Sequence, residues 1–346
     1  MTASTAPQAG LAYLQSQLAF IEPKVYQHKW PQIQYPMLVP VSADAGAWVP
    51  TIVHYSRTLT GKAEPVASRS TDFPKVSAER QQHHVSVELW GIGFDYTLSE
   101  LQRAMMLNID LPGQRAMDAR FVAEREIERI FKCGNRDLGW DGFLWADRAV
   151  DKNGQLKEGR PNSTDAADTG SGSGEDRRFF ANKNSQQILK DINDLMNGIY
   201  VNSKTTEIAN VLCVPPSVFA TLNSTYVPNT AETTMETIRK NNLWTATTQK
   251  PMMIFQVRGL EASGSEDLSN PGHYYGRALA YTIDPSVLRL HIPMPFMFLP
   301  LEQTGPMLYE RPGIFNIGGL EIRRPGAIAY LDKISEPVAR TDFQPA

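Results

Sequence analysis

The order of patterns along this 346-residue sequence predicts an α+β fold with appendages. Three observations carry the prediction. Two β-rich stretches, Thr51 to Leu59 and His83 to Tyr96, flank a polar segment containing Gly61, Pro65 and Pro74, which reads as a long two-stranded ribbon. A helical pattern follows the ribbon without a linker and runs to about Cys133, and strand-like segments dominate from Met252 onward. A ribbon that reaches away from its body cannot bury both faces by itself, so its natural use is to lie on another copy.

Before the ribbon, Leu11, Leu14, Leu18 and Ile21 recur at near-helical spacing until Pro23, which predicts a short helix. Tyr26 to Val49 is crowded with Pro31, Pro36 and Pro40, which favours an extended chain lying over a surface. In the second ribbon strand the apolar phase changes. Val85, Val87 and Leu89 share one face, then Trp90, Ile92, Phe94 and Tyr96 the other, which beside Gly91 and Gly93 predicts a bulge where the ribbon meets the body.

Thr97-Leu-Ser-Glu100 reads as a capping box that starts a helix, broken at Asp110-Leu111-Pro112, with Pro112 in the first turn of a second helix. Along that second helix Ala116, Ala119, Ala123, Ile127 and Ile130 form a narrow apolar stripe. Arg120/Glu124, Arg125/Glu128 and Glu128/Lys132 fall at the spacing of exposed ion pairs, facing solvent or a neighbouring subunit. Gly134 and Asn135 provide a left-handed stop.

Asp151 to Arg178 has Leu156 as its single large aliphatic residue and reads as a loop or flexible polar insertion. Order returns with a helix carrying Ile188, Ile192, Leu195 and Ile199, a buried strand at Ile208 to Val214, a helix after Pro215-Pro216 and another at Ala231 to Asn241. The later strands are Met252 to Val257, Ala278 to Ile283, Val287 to Ile292, Phe296 to Leu301, Leu320 to Ile322 and Ala327 to Leu331.

Composition excludes several functions. A formal charge of -3 and a pI near 6.1 lack the basic excess of a dedicated nucleic-acid reader. Two cysteines, Cys133 and Cys213, are too few for a disulfide framework and fit a reducing cytoplasm. Neither a signal peptide nor a membrane helix is expected. Asp168-Thr-Gly-Ser171 has the letters of an aspartic-protease signature, but it has no second copy and no buried strand turn around it. Gly170, Gly172 and Gly174 follow no strand, so they read as linker rather than phosphate cradle. Adjacent His83 and His84 point to opposite faces of a strand, while His28, His54, His273 and His291 are isolated. Cys133, at a helix C-terminus, sits at the wrong end for a stabilised thiolate. No nucleophile elbow is present. No catalytic, cofactor or metal site is expected.

Several short motifs in order nevertheless look familiar. Gly61-Lys-Ala63, Asp72-Phe-Pro74-Lys-Val76, Phe94-Asp-Tyr96-Thr97 with Glu100, Ala104, Ala119 and Glu124, then Gly139 to Trp145, Gly319-Leu-Glu-Ile322 and Arg324-Pro-Gly-Ala327-Ile-Ala-Tyr330 resemble a group of tailed-bacteriophage major capsid proteins with the Hong Kong 97-type fold. The resemblance implies an N-terminal arm (1–47), an extended loop (48–96) overlying an adjacent subunit, and a peripheral domain with a long spine helix (97–147 and 285–346). It further implies an axial domain (181–284), with 148–180 as a polar insertion. Pentamers and hexamers would close an icosahedral head around double-stranded DNA held without sequence reading. Portal, scaffolding or decoration proteins would be partners, and assembly would occur in the host cytoplasm. A large fused scaffold segment is not expected.

The assembly contacts expected on this reading are Arg57, Lys62, Arg69, Asp72, Arg120, Glu124 and Glu128. Lys62 sits where some members crosslink to a neighbour, though no matching Asn is identified. The alternative on the same fold is an encapsulin-like nanocompartment shell enclosing a cargo enzyme, and a hydrolase using Asp168 is a third class.

Overall fold

The computed structural model of the chain describes residues 31–63, 65, 75–107, 111–149, 155–157 and 159–339. The helix expected at Leu11 to Phe20, and Arg69 and Asp72, lie outside these residues.

The segment expected to be extended contains one helical turn, α1 (Tyr35–Leu38), with Pro36 in its first turn, and a two-residue strand, β1 (Val41–Ser42). Tyr35, Leu38 and Val39 are buried, and the Tyr281 hydroxyl donates to the Leu38 carbonyl at 2.7 Å. Proline rigidity thus lays this stretch onto the core while one turn docks two large side chains.

The ribbon pairs β2 (Thr51–Thr60) with β3 (Ser77–Ser86) in unbroken antiparallel register, from Thr51 opposite Ser86 to Thr60 opposite Ser77. It ends earlier than expected. After Val87 the chain leaves the ribbon, and β4 (Glu88–Thr97) pairs with β12 (Leu308–Ile317), so the stretch read as one strand serves two sheets. The phase change is therefore real, but its site is Val87, which is buried and donates to the Pro50 carbonyl at 3.0 Å. The expected bulge at Gly91 and Gly93 is absent, as pairing runs unbroken from Glu88 to Thr97. Gly93 is required for close approach instead: a Cβ there would lie 3.0 Å from the Arg311 carbonyl oxygen.

The capping box forms as read, with the Glu100 amide donating to the Thr97 hydroxyl at 3.3 Å and the Thr97 amide donating to the Glu100 carboxylate at 3.2 Å. Helix α2 (Leu98–Leu107) follows, then α3 (Leu111–Cys133). The inner face of α3 is Ala119, Ala123, Ile127 and Ile130, all buried. Gly134 ends the helix at φ +74°, where a Cβ would meet the Trp140 oxygen at 2.4 Å.

Part of the expected polar insertion is built into a sheet. Strand β5 (Asn162–Asp165) pairs in parallel with β14 (Ile328–Ala339), and Arg178 and Lys333 both pair with Asp165 at 3.0 Å. Backbone hydrogen bonding and ion pairs secure this strand without large apolar side chains, which is why composition hid it.

That sheet has the order β5-β14-β8-β6-β7, with β6 (Val211–Val214), β7 (Met253–Gln256) and β8 (His273–Tyr281). Over one part of it lies α4 (Ser185–Asn202), whose Ile188, Ile192, Leu195 and Ile199 join a buried cluster with Leu212, Val214, Ala278 and Ala280. Helices α5 (Pro216–Ser224), α6 (Thr234–Lys240) and α7 (Leu243–Thr248) complete the region, and α7 was not anticipated.

A second core joins α3 and the arm to β9 (Leu288–His291), β12 and β13 (Leu320–Ile322). β12 pairs with β4 on one side, and with β10 (Met294–Phe298) and β11 (Glu302–Gly305) on the other. β12 was not among the expected strands, and it passes through Pro312 and Gly313, residues uncommon inside a paired strand.

Candidate assembly surfaces

The ribbon is the largest part of the described chain without a core. Ten residues per strand at ~3.3 Å each give it a reach of about 33 Å. One face carries Thr51, Val53, Tyr55, Arg57 and Leu59 opposite Ser86, His84, Gln82, Arg80 and Ala78, with Tyr55 67% and Leu59 61% exposed. A two-stranded ribbon is marginal in water by itself, so its straight register must be supported at its root.

That support is a polar cluster. Glu321 on β13 is buried and accepts from His291 Nε2 at 2.7 Å and from Arg323, with Nη2 at 3.1 Å, while its other oxygen contacts His54 Nδ1 on the ribbon. His54 stacks on its cross-strand partner His83 with ring centroids 4.8 Å apart, and His83 Nε2 lies 2.9 Å from the Ser56 hydroxyl. Burial by itself would raise the Glu321 carboxyl, but the bonds from His291 and Arg323, with the charge of Arg323 and then the effect of His54, outweigh it and hold the carboxyl down at about 2. Burial lowers the His54 pKa against the pull of Glu321. Trp140 Nε1 adds a bond to the Ser86 carbonyl at 3.1 Å. Two of the four histidines read as isolated in sequence, His54 and His291, are thus brought together by one carboxylate, and their separation of more than two hundred residues gave no sequence signal.

Of the expected contact residues, Arg57 and Lys62 are exposed on and just beyond the ribbon. Arg120 is exposed on α3. Glu124 is engaged within its own chain, accepting from the Tyr35 hydroxyl at 2.6 Å. Burial first, then this bond, raises the Tyr35 pKa.

Glu128 corrects the sequence reading outright. It is 1% exposed and pairs with the equally buried Lys132 at 2.6 Å, so the pair expected on the surface faces inward. The Lys132 ammonium also donates to Gln34 Oε1 at 3.1 Å, the Gln34 amide donates to Glu128 at 3.2 Å, and Arg258 reaches Glu128 at 3.4 Å. Burial lowers the Lys132 pKa against the opposing effect of Glu128. Together Glu124 and Glu128 fasten the segment after Gln32 to the long helix.

A second buried network locks the body. Arg277 on β8 is fully buried and makes two bonds to Asp147 (2.7 and 2.9 Å), two to Asp332 (2.7 and 2.9 Å) and one to the Leu144 carbonyl (2.9 Å). These saturate the planar fork of the guanidinium. Burial opposes its charge, but the two carboxylates outweigh that and raise its pKa. Sequence reading missed Arg277, whose local context of Gly276 and Ala278 is that of an ordinary strand.

The candidate catalytic letters are not assembled into a site. Asp168 is exposed and pairs with Arg177 at 3.2 Å. No group of three metal-ligating side chains occurs among the described residues, both cysteines are buried, and no described helix is long and apolar enough to cross a membrane.

The elements and their order define a mixed α/β subunit with a projecting ribbon and a long helix under a split sheet. The family model described as major capsid protein matches residues 61–334, and the chain belongs to that family. The fold is similar to the capsid of Myoviridae phage XM1, with TM-score 0.68 at 14% identity, covering 92% of this chain and 97% of that one. It is also similar to a chain of Mycobacterium phage Bobi, with TM-score 0.56 at 11% identity, covering 95% and 99%. A capsid of a native GTA particle matches with TM-score 0.57 at 8% identity, covering 97% and 100%. The fold is thus of the Hong Kong 97 type. No curated protein sequence matches the chain.

Proposed function

We propose that this major capsid protein closes as pentamers and hexamers into an icosahedral tailed-phage head around double-stranded DNA, with its ribbon laid on an adjacent copy. The observation that carries this reading is the ribbon, which is held firmly at its root by Glu321 and Trp140 and exposed on both faces beyond it. Its apolar residues Val53, Tyr55 and Leu59 are exposed, and a neighbouring subunit would cover them. Contacts spread over a ribbon and a body let each pairwise interface be modest while the closed shell is strongly held.

On this reading residues 1–47 are the arm, 48–96 the extended loop, 97–147 with 285–346 the peripheral domain and 181–284 the axial domain. The separate buried cluster beneath α4 supports an axial unit. Residues 162–165 of the polar segment form an edge strand on β14, and β14 in turn pairs with β8, so the last strand of the chain shares the sheet beneath α4. DNA would be enclosed without base readout, in keeping with the net charge of -3. Portal and scaffolding or decoration proteins complete the particle in the host cytoplasm, and the subunit acts without catalysis.

Deleting residues 57–74 tests the reading: the body should fold and closed shells should be lost in negative-stain micrographs. Normal shells from the deletion would overturn it. Particles purified with nuclease-resistant DNA support a phage head, whereas particles filled with a protein cargo would overturn that part.

A further inference from the structure

Two rows of like charge face each other across strand pairs on separate surfaces. On the ribbon, Arg57 lies directly opposite Arg80, on the face that carries Tyr55 and Leu59. On the outer face of the split sheet, Asp95 of β4 lies opposite Glu310 of β12, and Glu310 opposite Glu302 of β11. All five residues are exposed. Like charges directly opposite one another destabilise a sheet, and neither row is neutralised by an ion pair among the described residues. Arg115 approaches the acidic row, but it donates to the Asp95 backbone carbonyl and pairs with Glu100. Elsewhere in the chain Glu126 is paired with Arg129, Glu128 with Lys132 and Glu321 with Arg323.

The dimensions agree as well as the signs. Directly opposite side chains stand about 5 Å apart at Cβ, so the two guanidinium groups fit over a carboxylate row about 10 Å wide across three strands. Exposed apolar residues Tyr55 and Leu59 flank Arg57 on the same face of the ribbon, and exposed Leu301 precedes Glu302 in the chain. Arginine forks suit paired carboxylates, and desolvation on docking strengthens the contact.

We infer that the Arg57/Arg80 pair of one copy docks on the Asp95/Glu310/Glu302 row of a second copy, each row relieving the repulsion of the other. This rests on the proposed role of the ribbon and names the surface it meets.

Single charge reversals test it cleanly. Arg57→Glu places a carboxylate opposite Arg80, and Glu310→Lys places an ammonium between Asp95 and Glu302, so each change removes a repulsion within its own sheet. The soluble subunit of either variant should therefore unfold at or above the wild-type temperature. Each alone should cut the yield of closed shells on the order of tenfold or more, and the double variant R57E/E310K should restore most of it. Single variants that assemble at wild-type yield, or a double variant that recovers nothing, would overturn the pairing. In the second case the loss of shells in the 57–74 deletion would still hold the ribbon's general role, whereas intact shells from that deletion would sink the role itself.

Discussion

The ribbon and the five-stranded sheet are both β-structures with regular pairing, yet they place their charged side chains in opposite ways. In the sheet, Arg277 is entirely buried and each of its donors meets an acceptor. On the ribbon, Arg57 and Arg80 stand exposed and opposed. A buried charge with saturated partners locks a subunit to itself, whereas exposed like charges leave a surface unsatisfied. The one holds the subunit together, and on the proposed reading the other meets a neighbouring copy.

The comparison is broken most severely at Arg277. Replacing it with Ala leaves the buried Asp147 and Asp332 with only the half-exposed Arg148, 3.6 Å from each, a loss of about 3 kcal/mol in denaturant unfolding of the soluble subunit. Arg277→Lys keeps the charge but loses the fork, and should fall between wild type and Ala.

Glu321 sharpens the border between the regions. Its folded pKa of about 2 lies below the ordinary 4.5, so its contribution is complete above pH 4.5 and is lost as pH falls toward 2. The shift corresponds to about 3 kcal/mol as an upper bound. Stability measured from pH 6 to 2 should fall less steeply in Glu321→Gln, which starts lower because His291 and Arg323 lose their anion.

Asn184 caps α4 by accepting the Gln187 amide at 2.9 Å, with Gln187 returning a bond. Asn184→Ala should cost about 1 kcal/mol in thermal unfolding. At the far end of the scale, Tyr55→Ala on the ribbon should change subunit unfolding by less than about 0.5 kcal/mol, while lowering shell yield. A large loss of subunit stability from Tyr55→Ala would mean that the ribbon packs on its own body.

Much of this fold was legible because it is locally encoded. The Thr97–Glu100 box, the alanine and isoleucine stripe of α3, the stop at Gly134 and the face of α4 all depend on residues a few positions apart, where hydrogen-bond reach and helical period act directly. The phase change near Val87 was legible too, but its meaning was not. Whether the next strand stays in the ribbon depends on β12, some two hundred residues away and not among the expected strands. Of the contact residues, Arg57 and Lys62 were readable as exposed because a polar ribbon strand has nothing to bury them.

The sequence by itself determined where α2 starts and where α3 stops, that a ribbon projects, and the family resemblance carried by short motifs in order. Only the tertiary structure decided that Glu128 and Lys132 turn inward beneath Gln34, that Glu321 gathers two distant histidines at the ribbon root, and that Asp95, Glu310 and Glu302 form one row. Local propensity is a property of neighbours in the chain. Burial and charge pairing are properties of neighbours in space, and those are chosen when separate strands meet.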